Sequence, residues 1–244
     1  MIIQQEQIDL ATAKGPMRTY IYRPAAEGSY ATVIFYSEIF QQTAPIARSA
    51  AMLAGHGFVV LVPEVFHELN PIGTVLAYDD QGKDKGNRDK FTKPLVDHDA
   101  DTQAMIDFVQ AAPYCSGRVG AMGVCIGGHL AFRAALNPRI GAAACLYATD
   151  LHSNTLPAAP SDQTLARAGD VKGELLMIWG RQDPHVPDED RALINRHLRE
   201  ANCLFSWHEF NGQHAFMRDE GERYDPELAL NCYRLSVDLF RRAL

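Results

Sequence analysis

The sequence predicts an α/β fold with a mostly parallel central sheet and helices on both of its faces. One observation is a set of short, nearly continuous apolar runs, at 31–36, 58–62, 118–122, 141–147 and 174–179. Such runs are typical of strands that are buried on both faces. The other observation is that helical patterns lie between the runs, which indicates crossover connections that cover both faces of the sheet.

The elements follow in order along the chain. Segments 8–13 and 18–22 flank the turn Lys14-Gly15-Pro16 and predict an antiparallel pair at one edge of the sheet. Helical patterns occupy 44–54, 97–111, 128–136, 188–200 and 226–243. Segments 81–93 and 152–169 fit neither pattern. We predict that both are long loops at the rim of a binding site near the carboxyl edge of the sheet.

Composition narrows the function classes. The chain has 244 residues, 47% of them hydrophobic and 22% charged, which is enough for one large core and predicts a single domain over 1–244. A net charge of -7 without a dense Lys/Arg tract argues against nucleic-acid and anionic-membrane surfaces. The first residues lack a signal-peptide pattern, and no apolar run approaches the ~20 residues that span a bilayer. We expect a cytoplasmic monomer or small homo-oligomer that acts on a small molecule.

Five cysteines are scattered along the sequence, at 115, 125, 145, 203 and 232. Their odd number and wide spacing fit neither a disulfide scaffold nor a zinc site. Four of them are expected to be small buried or half-buried hydrophobic residues. Only Cys125 has a context that indicates chemistry.

Cys125 lies in the stretch Gly123-Val124-Cys125-Ile126-Gly127-Gly128, between an apolar run and a helical pattern. A nucleophile on a sharp strand-to-helix turn needs very small neighbours two positions away, and Gly123 and Gly127 meet that need. The turn would place the Ile126 N–H at a helix N-terminus, where it can face a developing oxyanion. The alternative is an inert cysteine at a glycine-rich helix start.

Two further residues follow later strands. Asp183 comes after the apolar run 174–179, and His214 comes after the strand-like segment 204–210. The order nucleophile, acid, histidine is that of the α/β-hydrolases, in which each residue emerges from the carboxyl end of a strand. His214 would then act as the base, and Asp183 would fix its tautomer. Separately, each could be an ordinary turn residue.

With these motifs the chain resembles the dienelactone hydrolase family of α/β-hydrolases, whose signature is Gly-x-Cys-x-Gly-Gly. The resemblance implies that Glu38, just after the run 31–36, holds the resting thiol and accepts its proton. It also implies that the Ile39 N–H completes an oxyanion hole with that of Ile126. Arg218, four residues after His214, would bind a substrate carboxylate; the alternative is a solvated loop arginine.

One segment departs from the family pattern. Members with the dienelactone activity carry a second arginine after a segment matching Pro63-Glu64-Val65-Phe66, and this chain has His67-Glu68-Leu69 there. Glu68 in place of a cation motivates an alternative, in which the substrate lacks a carboxylate.

The remaining candidate sites have structural explanations. The acids in the segment 97–101 could suggest a metal site, but a helix dipole accounts for acids in a first turn. His129 is expected to pack or cap, and His56 and His185 are assigned no role. The glycine spacings match neither a phosphate loop nor a dinucleotide fingerprint. No cofactor and no metal are implied.

Three functions are therefore considered. The first is a dienelactone-hydrolase-like enzyme that opens activated esters or enol lactones of small acids through a thioester intermediate on Cys125. The second is a broader carboxylesterase or thioesterase that acts on neutral substrates. The third is a non-catalytic binding protein on the same scaffold.

Overall fold

A computed structural model describes residues 1–244 and contains one eight-stranded sheet. The strands are β1 (Ile3–Thr12), β2 (Gly15–Pro24), β3 (Tyr30–Tyr36), β4 (Val59–Pro63), β5 (Cys115–Val124), β6 (Ile140–Leu146), β7 (Glu174–Gly180) and β8 (Phe205–Phe210). Their order across the sheet is β1-β2-β4-β3-β5-β6-β7-β8. Every pair from β4 through β3 to β8 is parallel, whereas β1, β2 and β4 pair in antiparallel fashion. The predicted sheet and its antiparallel edge are confirmed.

Six helices surround the sheet. They are α1 (Ala44–Gly55), α2 (Asp80–Lys90), α3 (Leu95–Ala111), α4 (Ile126–Ala134), α5 (Asp188–Glu200) and α6 (Pro226–Ala243). The apolar residues of α1 and α6 belong to one buried cluster, and those of α3, α4 and α5 belong to a second. None of the helices combines the length and apolar character needed to cross a membrane.

The two clusters lie on opposite faces of the sheet. In β3, Val33 and Phe35 belong to the cluster of α1 and α6, whereas Ile34 and Tyr36 belong to the cluster of α3, α4 and α5. This alternation follows from the two-residue period of a strand and explains why the run is apolar at nearly every position. Because one sheet extends from residue 3 to residue 210, we propose that residues 1–244 form one domain.

The prediction of a loop over 81–93 is wrong for most of its length, because α2 spans Asp80–Lys90. Seven of the eleven residues of this helix are charged, so it lacks the apolar stripe that identified the others. The side chain of Asp79 caps it by accepting a hydrogen bond from Gly82 N–H at 2.8 Å. Segment 152–169 is mostly irregular, with short 3₁₀ turns at Pro160–Asp162 and within Leu165–Asp170.

Candidate active site

Cys125 lies between the end of β5 and the start of α4, with φ 59° and ψ -125°. A positive φ is uncommon outside glycine, and here it directs the half-buried thiol away from the sheet. The flanking glycines are required. A Cβ on Gly123 would lie 1.8 Å from the Gly127 carbonyl oxygen, and one on Gly127 would lie 2.2 Å from the Tyr36 carbonyl oxygen. The close strand-to-helix approach expected from the sequence is present.

His214 and Asp183 form a buried pair. His214 Nδ1 lies 2.7 Å from Asp183 Oδ2, and the other carboxylate oxygen accepts a hydrogen bond from the backbone N–H of His185 at 2.8 Å. Burial acts to lower the pKa of His214, but the charge of the Cys125 sulfur and the hydrogen bond with Asp183 outweigh it and raise the pKa to about 10. The imidazole is therefore placed to hold a positive charge opposite the sulfur.

Glu38 follows β3 and is buried, with 4% exposure. The Tyr78 hydroxyl donates to its Oε1 at 3.0 Å, and Arg218 Nη1 lies 3.5 Å from its Oε2. Burial raises the pKa of Glu38, and the opposing effects of Arg218 and Tyr78 do not cancel that increase. A carboxylate of raised basicity thus faces the same cleft as the thiol.

Two backbone N–H groups near the thiol lack partners. Ile39 lies outside the regular elements and makes no backbone or side-chain hydrogen bond through its N–H. Ile126 occupies the first position of α4, where a helix offers no carbonyl to its N–H. Neither N–H is therefore engaged by another group of the protein.

A cleft of about 610 Å³ brings these residues together, and its lining includes Glu38, Ile39, Cys125, His214 and Arg218. The size suits a small molecule. Asp183 lies behind His214 and is not part of the wall. Both segments that the sequence left unassigned contribute to the wall, as the rim prediction required.

The wall carries cations that the sequence analysis did not single out. Helix α2 contributes Lys83 and Lys90, and Arg223 comes from the loop before α6. Lys90 is paired with Asp150 at 2.9 Å, and Lys83 contacts Asp80 at 3.7 Å on the surface. Lys83, Asn87 and Lys90 recur at helical spacing, a signal that was present in the sequence but lay in a segment interpreted as a loop.

Glu68 does not line the cleft. Its Oε2 lies 2.8 Å from Nζ of Lys93, which has no exposed side-chain surface and also binds Asp101 at 2.5 Å and the Val65 carbonyl at 2.9 Å. Glu68 therefore neutralises a buried lysine and does not face a substrate. His67, Glu68 and Asp101 have potential metal-ligand atoms within 4.8 Å of one another. The ammonium of Lys93 already binds both carboxylates of this group, so it takes the place that a metal ion would need.

The helix-dipole explanation for the acids at 97–101 holds only for Asp97, the one acid in the first turn of α3. Asp99 forms an ion pair with Arg133 at 2.7 Å, and Asp101 belongs to the Lys93 cluster. Direct ionic partners therefore explain these two acids, and Asp97 also lies 3.4 Å from the ammonium of Lys14. His129, expected to pack or cap, is buried, and its ring nitrogens lie 3.1 Å from the Thr149 carbonyl oxygen and 2.7 Å from the Thr164 hydroxyl oxygen.

His185 was assigned no role from the sequence, and it lines the cleft beside His214. The two ring centroids are 4.5 Å apart in an edge-to-face arrangement. Burial and the charge of His214 lower the pKa of His185. Potential metal-ligand atoms of Asp183, His185 and His214 lie within 4.8 Å of one another. Asp183 and His214 are already hydrogen-bonded to each other, which argues against a metal ion between them.

Comparison with known proteins shows that the chain belongs to the dienelactone hydrolase family. The model of the dienelactone hydrolase family matches residues 17–244. A Saccharomyces cerevisiae protein named "Putative carboxymethylenebutenolidase" is 38% identical over 257 residues, covering all of this chain and 93% of that protein. A carboxymethylenebutenolidase of Pseudomonas sp. strain P51 is 27% identical, covering 99% of this chain and 96% of that protein.

Solved structures agree on the fold. A Klebsiella pneumoniae protein, "Putative Dienelactone Hydrolase", superposes with a TM-score of 0.86 at 21% identity and covers 99% of both chains. A dienelactone-hydrolase-like phosphotriesterase from metagenomic libraries gives a TM-score of 0.79 at 19% identity, covering all of this chain and 99% of that one. At these identities the likeness establishes the α/β-hydrolase fold.

Proposed function

The chain is a hydrolase of the dienelactone hydrolase family, and we propose that it opens activated esters or enol lactones of small acids with Cys125 as the nucleophile. The observation that carries this proposal is that His214 lines the same cleft as the Cys125 thiol and is held from behind by Asp183, at 2.7 Å. Nucleophile, base and orienting acid then stand in the roles that acyl transfer requires.

Acylation begins with deprotonation of the Cys125 thiol. Glu38 takes the thiol proton, as its buried position and raised pKa favour, and the sulfur attacks the substrate carbonyl carbon. A carbon–sulfur bond forms, and the carbonyl oxygen becomes an oxyanion that accepts hydrogen bonds from the N–H groups of Ile39 and Ile126. The carbon–oxygen bond to the leaving group then breaks, and His214 protonates the departing oxygen.

In deacylation His214 accepts a proton instead of donating one. His214, now neutral, removes a proton from water, and the resulting hydroxide attacks the thioester carbonyl. The second tetrahedral intermediate collapses, the acid product leaves and the sulfur departs as a thiolate, to which Glu38 returns the proton that it took in acylation. Asp183 holds the ring through Nδ1, so that Nε2 is the nitrogen available for both transfers.

The thiolate limits which substrates are productive. It is a good leaving group, so a tetrahedral intermediate returns to substrate unless the other group departs more readily. Enolates and aryloxides depart readily, whereas amide nitrogens do not. We therefore assign activated esters and enol lactones as substrates and exclude simple amides.

The wall of the cleft favours an acidic substrate over a neutral one. Arg218 stacks on Tyr78 with its guanidinium carbon 4.3 Å from the ring centroid and makes only a 3.5 Å contact to Glu38, which leaves capacity for a carboxylate. Arg223 adds a second guanidinium to the wall, whereas Lys83 and Lys90 contribute no net charge because Asp80 and Asp150 of the same wall pair with them. The neutral-substrate alternative depended on Glu68, which is bound to Lys93 outside the cleft.

A substrate panel tests the proposal. Wild type should hydrolyse an anionic enol lactone with a higher kcat/KM than a neutral aryl ester of the same acyl length. Cys125→Ala should abolish both activities, while the matched substitution of the half-buried Cys203→Ala should leave both within about twofold. Preference for the neutral ester would contradict the proposal that the substrate carries a carboxylate. Activity retained by Cys125→Ala would contradict the proposal that Cys125 is the nucleophile.

A further inference from the structure

Helix α2 packs closely against the residues around the active-site cleft because glycines occupy its buried face. Gly82, Gly86 and Asp89 are its buried residues, so two of the three carry no side chain, and this face packs backbone against backbone. A Cβ on Gly86 would lie 2.7 Å from the carbonyl oxygen of Ile39 and 2.8 Å from its Cβ. The helix therefore lies directly against Ile39, the residue whose N–H is proposed to bind the oxyanion.

The Ile39 backbone has little else to hold it. Ile39 is the second residue of a turn in which the Gln41 N–H donates to the Glu38 carbonyl at 3.1 Å. Neither the N–H nor the carbonyl of Ile39 makes a hydrogen bond. Its orientation depends on the buried side chain, 7% exposed, and on the contact with Gly86. An atom added at Gly86 would meet both the carbonyl oxygen and the Cβ of Ile39, and a displacement of both shifts the Ile39 Cα and with it the Glu38–Ile39 peptide that carries the N–H.

We infer that Gly86 is a positioning residue for catalysis: by carrying no side chain, it lets α2 fix the Ile39 N–H in the direction that stabilises the oxyanion. This inference rests on the proposed function, because it presumes that an oxyanion forms at Cys125. In this inference α2 positions the oxyanion donor, which is separate from the lining of the cleft by its residues Lys83 and Lys90.

Gly86→Ala tests the inference. The added methyl group must displace Ile39 or the helix by several tenths of an ångström, since the nearest atoms are backbone. Misplacement of one oxyanion donor on this scale should lower kcat for p-nitrophenyl acetate about ten- to hundredfold with KM within about twofold. Alkylation of Cys125 by iodoacetamide forms no oxyanion, so its rate should stay within about twofold.

Two glycine substitutions serve as controls. Gly169→Ala meets no atom within 4 Å and should match wild type in kcat and Tm. Gly82→Ala lies one turn earlier on the same face and collides with the Ala77 carbonyl, 2.1 Å from the added atom. It should lower Tm at least as much as Gly86→Ala but reduce kcat less than about threefold. Equal losses of kcat in both variants would mean that displacement of the helix alone is responsible and would overturn the inference.

A second pair of variants approaches the contact from the other side. Ile39→Gly removes the Cβ that faces Gly86 and frees the backbone, whereas Ile39→Ala keeps that Cβ. The glycine variant should have a kcat about tenfold below that of the alanine variant, and equal values would overturn the inference even if Gly86→Ala does not fold. Loss of wild-type turnover in Cys125→Ala tests the proposed function independently. An unchanged kcat in Gly86→Ala therefore counts against Gly86 alone.

Discussion

Asp183→Asn tests the histidine–carboxylate pair most directly. The carboxylate is 4% exposed and accepts from His214 Nδ1 at 2.7 Å and from the His185 N–H at 2.8 Å. Asparagine keeps the shape and one acceptor but presents an amide N–H₂ to the histidine. A hydrogen bond to a charged group contributes about 1.5–3 kcal/mol. Since about 1.4 kcal/mol is a factor of ten, the protonated form of His214 should be disfavoured about ten- to hundredfold.

The pH dependence follows from the raised pKa of His214. Because the folded protein holds this proton more tightly than the unfolded chain, the resulting stabilisation is complete below the unfolded pKa of about 6.5. It is lost as the pH rises through the folded pKa of about 10. In Asp183→Asn the imidazolium should be lost at lower pH. The free energy of unfolding, measured by urea denaturation, should therefore fall less steeply between pH 6.5 and 10 than in wild type.

Two rates at pH 8 measure the chemical consequence: alkylation of Cys125 by iodoacetamide, and kcat/KM for p-nitrophenyl acetate. Both should fall about ten- to hundredfold in Asp183→Asn, because the thiolate loses its cationic partner. Asp188→Asn is the control, since its side chain is 87% exposed and contacts only Arg191. If both rates in Asp183→Asn remain within twofold of wild type, the pair does not sustain the thiolate and the reasoning is refuted.

Four further substitutions address single groups. Cys125→Ser should retain less than about one hundredth of kcat, because a hydroxyl is far harder to deprotonate than a thiol; equal turnover would contradict this. Glu38→Gln should slow the acylation burst about tenfold and leave deacylation unchanged, as stopped-flow kinetics can resolve. Arg218→Ala should raise KM about ten- to hundredfold for an anionic lactone but not for a neutral ester, and an equal effect would indicate packing. Lys93→Met should lower the free energy of unfolding by about 3–5 kcal/mol in urea denaturation, because the buried carboxylate of Asp101 and the half-buried one of Glu68 lose their cation.

The parts of the fold that the sequence predicted are those with a strong hydrophobic period. The apolar runs predicted the cores of five of the six strands in the parallel part of the sheet, and helices α5 and α6 begin and end where their patterns do. Helix α2 was missed because its charged residues and its two glycines are typical of a loop. Its stability comes from an Asp79 cap and from close backbone packing, and neither produces an apolar stripe.

In the active site, too, some residues could be predicted from the sequence and others could not. Cys125, Asp183 and His214 each follow a strand, so parallel topology alone brings them to one edge of the sheet, and their order in the sequence suffices to nominate them. Lys83, Lys90 and His185 reach the cleft through a helix and a turn whose positions depend on contacts distant in sequence. Glu68 was expected from the sequence to affect substrate binding, but it does not line the cleft. It forms an ion pair with Lys93, which is 25 residues away in the sequence. Sequence order therefore identifies candidates for the chemistry of this fold, whereas the residues proposed to select the substrate require the packed structure.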